Sequence, residues 1–145
     1  MKTWFYLILI LAAIFLSCSK NKSDQVSRLE LLTKFDWVIQ KVEEKADHNP
    51  WTDVFPFWPA CEKDDKWKFK TDFSLELYES IMPCGTNSPN QVLDILTWSF
   101  ESNETKLMID GRLSDIQLLS ESLLILNASE TIGSSTYYSR LTLGH

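Results

Sequence analysis

The sequence predicts an all-β protein, a small antiparallel up-and-down barrel of about eight strands, preceded by a signal peptide and a short polar tether. Three features of the 145-residue chain support this prediction. Short segments alternate apolar and polar residues with a period of two, as half-buried strands do. Turn-forming residues separate the segments about every 8–14 residues, which is typical of a meander. A polar stretch divides an apolar amino-terminal run from these segments.

The amino terminus has the layout of a secretory signal peptide over residues 1–17. Lys2 supplies one positive charge, residues 4–16 are apolar, and Ser17 is a small residue at the expected cleavage point. A transmembrane helix is the alternative. At about 1.5 Å per residue the apolar run would span roughly 20 Å, which is short of a hydrocarbon core about 30 Å thick.

Residues 15–18 read FLSC and resemble the lipobox of bacterial lipoprotein signal peptides. The resemblance implies cleavage after Ser17 and a diacylglycerol thioether, with acyl chains such as palmitate, on Cys18. A plain cysteine at the end of a hydrophobic segment is the alternative. Residues 18–28 are mostly polar and form the predicted lipidated tether. We therefore expect a membrane partner through the lipid anchor and a location in the cell envelope, at the outer membrane.

The predicted folded domain comprises residues 29–145. The whole chain carries a formal net charge of −6 with scattered lysines, so it lacks the basic face that nucleic-acid binding requires. Cys61 and Cys84 are an even pair in an exported domain, which favours a disulfide that stabilises the fold by about 3 kcal/mol. Two free thiols or half of a zinc site are the alternatives.

The first half of the domain contains a helical turn and three strands. Residues 27–33 favour the helical turn, and the β-branched and aromatic residues of 34–46 favour a long first strand, with a helix as the alternative. Three prolines make residues 47–64 an irregular loop. Residues 66–70 and 73–78 alternate strictly and predict a hairpin that turns at residues 71–72.

The second half adds five strands after a loop over residues 81–90. They are predicted at residues 92–101, 106–110, 112–119, 123–128 and 136–143. The Asp110-Gly111 dipeptide is a strong hairpin signal, and polar turns separate the remaining strands. A meander of eight strands can close on itself, which removes exposed sheet edges.

A family resemblance covers roughly residues 29–143. Its motifs are LLTKFDW at 31–37, ACEKDDKWKF at 60–69, Cys84, TWSF at 97–100, LMI at 107–109, and IQLL at 116–119 leading to LLIL at 123–126. The chain resembles the lipocalin-like domain lipoproteins of Bacteroidetes-type bacteria. This resemblance implies an up-and-down barrel and export as a lipoprotein, and it implies no particular ligand.

Aromatic side chains are the candidate ligand-binding residues. Trp37, Trp67, Phe69 and Trp98 fit a core, but in a small barrel the same residues would line any ligand cavity. The loop around Trp51 and Trp58 is either a lid that plugs one barrel end, or a hydrophobic gate or binding patch for a partner or glycan. Six residues are therefore predicted to contact a ligand: Trp37, Trp51, Trp58, Trp67, Phe69 and Trp98.

No catalytic motif stands out, so we predict that the protein is not an enzyme and has neither a cofactor nor a metal. Asp47 and His48 could belong to a Ser-His-Asp triad, but an ordinary surface loop explains them better. Glu62, Asp64 and Asp65 could bind a cation, but they lack the spacing of a calcium loop and fit a solvated strand entry.

Two functions remain open. The first is a lipid-anchored binding protein that holds a small hydrophobic ligand inside the barrel. The second is an interaction protein with a filled barrel, such as an inhibitor or an accessory subunit of an envelope complex. An interior cavity of a few hundred Å³ would favour the first function. A filled interior with exposed aromatic residues in the 51–58 loop would favour the second.

Overall fold

The computed structural model describes residues 26–145, and the predicted signal peptide and Cys18 lie outside the described residues. The first described element is the short helix α1, Arg28–Thr33. Its amino-terminal cap is Ser27, whose Oγ accepts a hydrogen bond of 3.1 Å from the Glu30 N–H. Among residues 26–145, no helix has the length and apolar character needed to cross a membrane.

Nine strands follow α1. In chain order they are β1 Trp37–Ala46, β2 Thr52–Asp53, β3 Lys66–Phe69, β4 Ser74–Tyr78, β5 Val92–Glu101, β6 Lys106–Ile109, β7 Arg112–Leu119, β8 Leu123–Ile132 and β9 Ser135–Gly144. All neighbouring strands are antiparallel, and β9 pairs back onto β1. Eight strands therefore close an up-and-down barrel, while the two-residue β2 adds to the edge of β1. The predicted fold class is confirmed.

Large apolar side chains fill the barrel near α1. The residues buried there are Leu32, Trp37, Ile39, Val42, Phe69, Leu75, Trp98, Leu107, Leu124, Leu126 and Leu143. Leu32 brings α1 onto the barrel, and the Trp37 indole Nε1–H donates to the Leu32 carbonyl at 2.9 Å. Because α1 covers this end of the barrel, we call it the closed end.

The opposite end of the barrel is its open end, where β1 and β8 finish and β7 and β9 begin. The loop between β1 and β3 lies here and contains β2 and two 3-10 turns, Phe55–Phe57 and Ala60–Glu62. The loop between β4 and β5 lies at the same end. The predicted irregular loop therefore has more local structure than its prolines indicate.

The β8–β9 hairpin differs most from the sequence prediction. The two strands were predicted to end at residue 128 and to begin at residue 136, but β8 continues to Ile132 and only Gly133 and Ser134 turn the chain. Gly133 has a φ of 64°, which suits a two-residue hairpin turn. The polar residues near the end of β8 are strand residues at the open end.

The β3–β4 turn is also displaced. Phe73, predicted as the first residue of β4, lies in the turn with a φ of 66° and is half exposed. The Asp72 carboxylate accepts hydrogen bonds from the Ser74 N–H at 3.0 Å and from the Ser74 hydroxyl at 2.6 Å. This local bonding extends the turn by one residue.

Candidate functional site

The side chains that face the barrel interior change character along the strands. On β8, Leu124 and Leu126 are buried in the core, and Ala128, Glu130 and Ile132 continue the same face toward the open end. The interior faces of β9 and β1 show the same change. Directly paired residues share a face of the sheet, and Ala128 pairs with Ser139 of β9, which in turn pairs with Glu44 of β1. Small and polar side chains thus replace the large apolar ones at the open end.

A cavity of about 840 Å³ occupies this end and opens to solvent. Its lining comes from the ends of β1 and β8, the starts of β7 and β9, and the segment around β2. The lining residues are Glu44, Lys45, Ala46, Thr52, Val54, Arg112, Leu113, Ala128, Ser129, Glu130, Ile132, Tyr137, Tyr138 and Ser139. Its volume lies within the range of roughly 300–1,000 Å³ that is usual for small-molecule sites.

The cavity enters the barrel wall between β7 and β8. The last Cα pair between these strands toward the open end is Asp115 with Asn127. Beyond it, β8 continues for five residues, 128–132, that pair only with β9 within the described chain. We call the resulting gap the β7–β8 cleft, and Leu113 and Ser129 line it from opposite sides.

Three charged side chains line the cavity without forming an ion pair among residues 26–145: Glu44, Glu130 and Arg112. A fourth, Lys45, has its ammonium 4.7 Å from the Tyr138 ring centroid and 5.1 Å from that of Trp51. The cavity therefore combines apolar surface with charges of both signs. It suits a ligand that has both apolar and polar parts.

Trp51 is held on the outer face of the barrel beside this cavity. The Arg140 guanidinium carbon lies 4.4 Å from its ring centroid, so Arg140 and Lys45 both contact the Trp51 ring. Trp58 belongs to the same loop and lies half buried, with its ring centroid 5.8 Å from that of Phe55. Phe57, between them in sequence, is 83% exposed. The aromatic loop is thus partly a cover packed on the core and partly an exposed surface.

The four strand aromatics among the predicted ligand-binding residues lie in the core and away from the cavity. Trp37, Phe69 and Trp98 are buried, and Trp67 packs against them half buried. The Phe69 and Trp98 rings meet edge to face with centroids 5.6 Å apart. Neither these residues nor Trp51 and Trp58 line the cavity. Contact between any of the six and a ligand stays a prediction.

The predicted disulfide between Cys61 and Cys84 is confirmed. It joins the β1–β3 loop to the β4–β5 loop at the open end. The half-buried Cys84 lies against the buried Glu79, whose carboxylate accepts from the Cys84 N–H at 3.2 Å and from Asn87 Nδ2 at 2.6 Å. The disulfide thereby restrains the β1–β3 loop, which supplies Thr52 and Val54 to the cavity lining.

Asp65 belongs to an acidic cluster next to the disulfide, and its pKa is raised to about 6. Burial of the carboxyl is the main cause, and repulsion from Glu79, Asp64 and Glu62 adds to it. The Asp64 Oδ2 accepts hydrogen bonds from the main-chain N–H groups of Ile81 and Met82. Over residues 26–145, no group of three or more His, Cys, Asp or Glu side chains has an arrangement that could hold a metal ion.

With its carboxylate, Asp47 anchors a turn through the main chain of Thr136. Its Oδ1 accepts from the Thr136 N–H at 2.7 Å, and its own N–H donates to the Thr136 carbonyl at 2.7 Å. These two bonds tie the end of β1 to the start of β9. The residue has a φ of 49°, which Asp tolerates better than most residue types.

The sequence prediction missed the cavity residues because none belongs to a recognisable motif. The available signal was the change on one face of each strand, from Leu124 and Leu126 to Ala128 and Glu130 on β8. Comparisons of this chain with protein-family models, with curated proteins and with solved structures find no significant match.

Proposed function

We propose that the protein is a lipid-anchored binding protein of the cell envelope, with a lipocalin-like barrel that carries a small ligand in its open end. The cavity of about 840 Å³ is the observation that supports this proposal. The core tryptophans lie in the closed end and outside the lining of this cavity. No catalytic residue, cofactor or nucleic-acid partner forms part of the proposal.

The lining of the cavity refines the expected ligand. Ala46, Ala128 and Val54 offer apolar contact, while Glu44, Glu130 and Arg112 offer charge. A purely apolar molecule would leave these charged groups facing it without compensation. The ligand is therefore amphipathic, with an apolar part against the small side chains and a polar part toward the rim.

The proposed anchor fits the placement of α1. Helix α1 begins two residues after the first described residue and lies on the closed end. An acylated Cys18 would therefore attach the domain to the membrane through the side of the barrel that carries α1. Two or three acyl chains provide stable attachment, since each buried methylene contributes about 0.8 kcal/mol.

Metabolic labelling with a palmitate analogue tests the anchor. We expect label on the wild-type protein and none on the Cys18→Ala variant. An unlabelled wild-type protein, or label that survives the substitution, would remove the anchor from the proposal and leave the cavity untouched.

Ligand binding is tested by titration with the fluorescent probe 1-aminoanthracene and by native mass spectrometry of the protein from its host. We expect saturable binding by the wild type and a loss of at least about tenfold in affinity for Ala128→Trp, which fills the cavity. Thr97→Trp is the matched control, because Thr97 is exposed on the outer face of β5. Equal binding by wild type and Ala128→Trp, together with a clean apo mass, would contradict the proposal.

The second candidate function is an interaction protein that acts through an outer surface. The filled closed end and the exposed Phe57 ring favour it. It predicts that Phe57→Ala weakens binding of an envelope partner while Ala128→Trp has no effect. The opposite pattern favours the ligand-carrying barrel.

A further inference from the structure

The main chain of β8 presents free hydrogen-bonding groups to the β7–β8 cleft. In a two-residue hairpin the closing residues, here Ile132 and Ser135, exchange hydrogen bonds with each other. The N–H and C=O groups of alternate residues along an antiparallel strand point to opposite sides. Those of Ala128, Glu130 and Ile132 therefore point to β9, and those of Ser129 and Thr131 point into the cleft.

On the other side of the cleft, β7 also presents main-chain groups without a partner among residues 26–145, those of Leu113. The β6–β7 hairpin also has a two-residue turn, so Arg112 exchanges hydrogen bonds with Ile109 and the main chain of Leu113 points toward β8. In this alternation the even-numbered residues of β7 bond toward the β6 side. The hydrogen bond of 2.9 Å from the Ile116 N–H to the Thr105 carbonyl agrees with that. Leu113 nonetheless has no Cα partner on β8 in the described structure.

We propose that the ligand of the cavity is an extended peptide segment, which enters the β7–β8 cleft and adds as a strand to residues 128–132 of β8. This inference rests on the proposed function and specifies the chemical class of its ligand. The polar part of the ligand is its main chain, and the apolar part consists of the side chains that face the small residues of the cavity.

Main-chain chemistry favours a peptide over a compact apolar molecule. An apolar ligand that displaced water from the cleft would leave the N–H and C=O groups of Ser129 and Thr131 without partners, at a cost of about 1–3 kcal/mol for each group. A strand satisfies all four groups, which is how peptides commonly add to an exposed sheet edge. The five residues of β8 that have no partner on β7 extend roughly 17 Å at about 3.3 Å per residue, which matches a peptide of similar length.

The side chains around the cleft accommodate such a strand. Alternate residues of the guest would face the cavity, where Ala46, Ala128 and Ser139 leave room for them. Glu44 and Glu130 offer two carboxylates to a basic guest residue, and Arg112 offers a guanidinium to an acidic residue or to a terminal carboxylate. The guest is therefore a segment with mixed apolar and charged residues.

The test uses a phage-displayed library of random ten-residue peptides and the full chain held in nanodiscs. Peptides that the wild type enriches are synthesised and their affinities measured for three variants. Thr131→Pro removes a free N–H without removing a β8–β9 ladder bond, since proline is tolerated where the N–H faces away from the ladder. Thr131→Ala keeps the N–H, and Leu93→Pro places proline on a different edge, near the start of β5 and outside the cavity lining.

We expect peptide affinity to fall about tenfold or more for Thr131→Pro and to stay within about twofold of wild type for Thr131→Ala and Leu93→Pro. We also expect the Ser129 and Thr131 amides of the wild type to become protected from hydrogen exchange when peptide binds. This second readout serves if Thr131→Pro does not fold.

Two outcomes would overturn the inference. Peptides that bind Thr131→Pro as well as wild type, without protecting the two amides, would place the peptide elsewhere. A library that yields no binder, while 1-aminoanthracene binding still depends on Ala128, would show that the cavity takes a compact ligand. The proposed function would survive the second outcome and only the peptide inference would fail.

Discussion

The closed and open ends of this barrel are built from the same strands, yet they differ in side-chain size and in main-chain pairing. Toward the closed end β8 contributes Leu124, which is fully buried and sits opposite Leu119 of β7. Toward the open end the same face of β8 contributes Ile132, which is 61% exposed on a stretch that β7 does not reach. One strand thus supplies both core and cavity.

This difference indicates that stability and binding are separated along the barrel axis. Burial of apolar surface is the main favourable contribution to folding, and it is concentrated around α1 and the core aromatics. The open end contributes less burial, but it offers a cavity with charged groups and free main-chain groups. Substitutions at the two ends should therefore affect different measurable quantities.

The largest expected effect comes from truncating matched residues on one face of β8. Leu124→Ala should lower the free energy of unfolding by about 4 kcal/mol, because it leaves a void in the closed end. Ile132→Ala should lower it by less than about 1 kcal/mol, because the side chain is largely exposed. Urea denaturation followed by tryptophan fluorescence measures both, and similar losses for the two variants would contradict the separation.

Removal of the disulfide should give the next largest loss of stability, and it tests how much the loops of the open end contribute. Replacing Cys61 and Cys84 with alanine should lower the free energy of unfolding by about 3 kcal/mol, since the bond closes a loop with a sequence separation of 23. We also expect weaker binding of 1-aminoanthracene, because the β1–β3 loop, which lines part of the cavity, is no longer joined to the β4–β5 loop. A stability loss under about 0.5 kcal/mol, measured with the same denaturant, would show that the loops are held by other contacts.

The smallest effect concerns the acidic cluster and depends on pH. Because the folded pKa of Asp65, about 6, exceeds the ordinary aspartate pKa of 3.8, the folded state binds this proton more tightly than the unfolded state. The associated stability is fully present below pH 3.8 and is lost as pH rises through 6. Asp65→Asn should thus stabilise the protein at pH 7.5, by under about 1 kcal/mol because the site is partly exposed.

Thermal unfolding at pH 7.5 and pH 4 measures this effect. Relative to wild type, the melting temperature of Asp65→Asn should be higher at pH 7.5, with a smaller difference at pH 4. Glu121→Gln is the control, since Glu121 lies exposed in the β7–β8 turn, distant from the cluster. A melting temperature of Asp65→Asn that is lowered at pH 7.5 would show that the charged carboxylate stabilises the fold.

The sequence predicted the barrel because its evidence is local. Period-two alternation, as in Lys66 to Phe69, and turn residues such as Asp110-Gly111 act over a few positions, and the strands they define follow the chain in order. The disulfide was predictable for a similar reason, because only two cysteines remain after Cys18. The predicted end of β8 was wrong, because Ser129 and Thr131 are residue types that are common in turns. They belong to the strand because they pair with β9, which the local sequence does not show.

The cavity could not be predicted because it depends on where strands stop pairing. Ala128 and Glu130 carry no motif, and their role arises because β7 separates from β8 beyond Asp115. The tryptophans were predicted to contact a ligand because large aromatic residues suit both protein cores and ligand sites. In the structure, packing around Phe69 and Trp98 assigns the strand aromatics to the core.

Amide hydrogen exchange on the ligand-free protein, resolved by NMR, tests the division of the barrel most directly. The account predicts that amides of Leu124 and Leu126 exchange only through global unfolding, whereas those of Ser129, Thr131 and Leu113 exchange rapidly. Protection of Ser129 and Thr131 equal to that of Leu126 would contradict the account, because it would mean that the β7–β8 cleft is closed in solution.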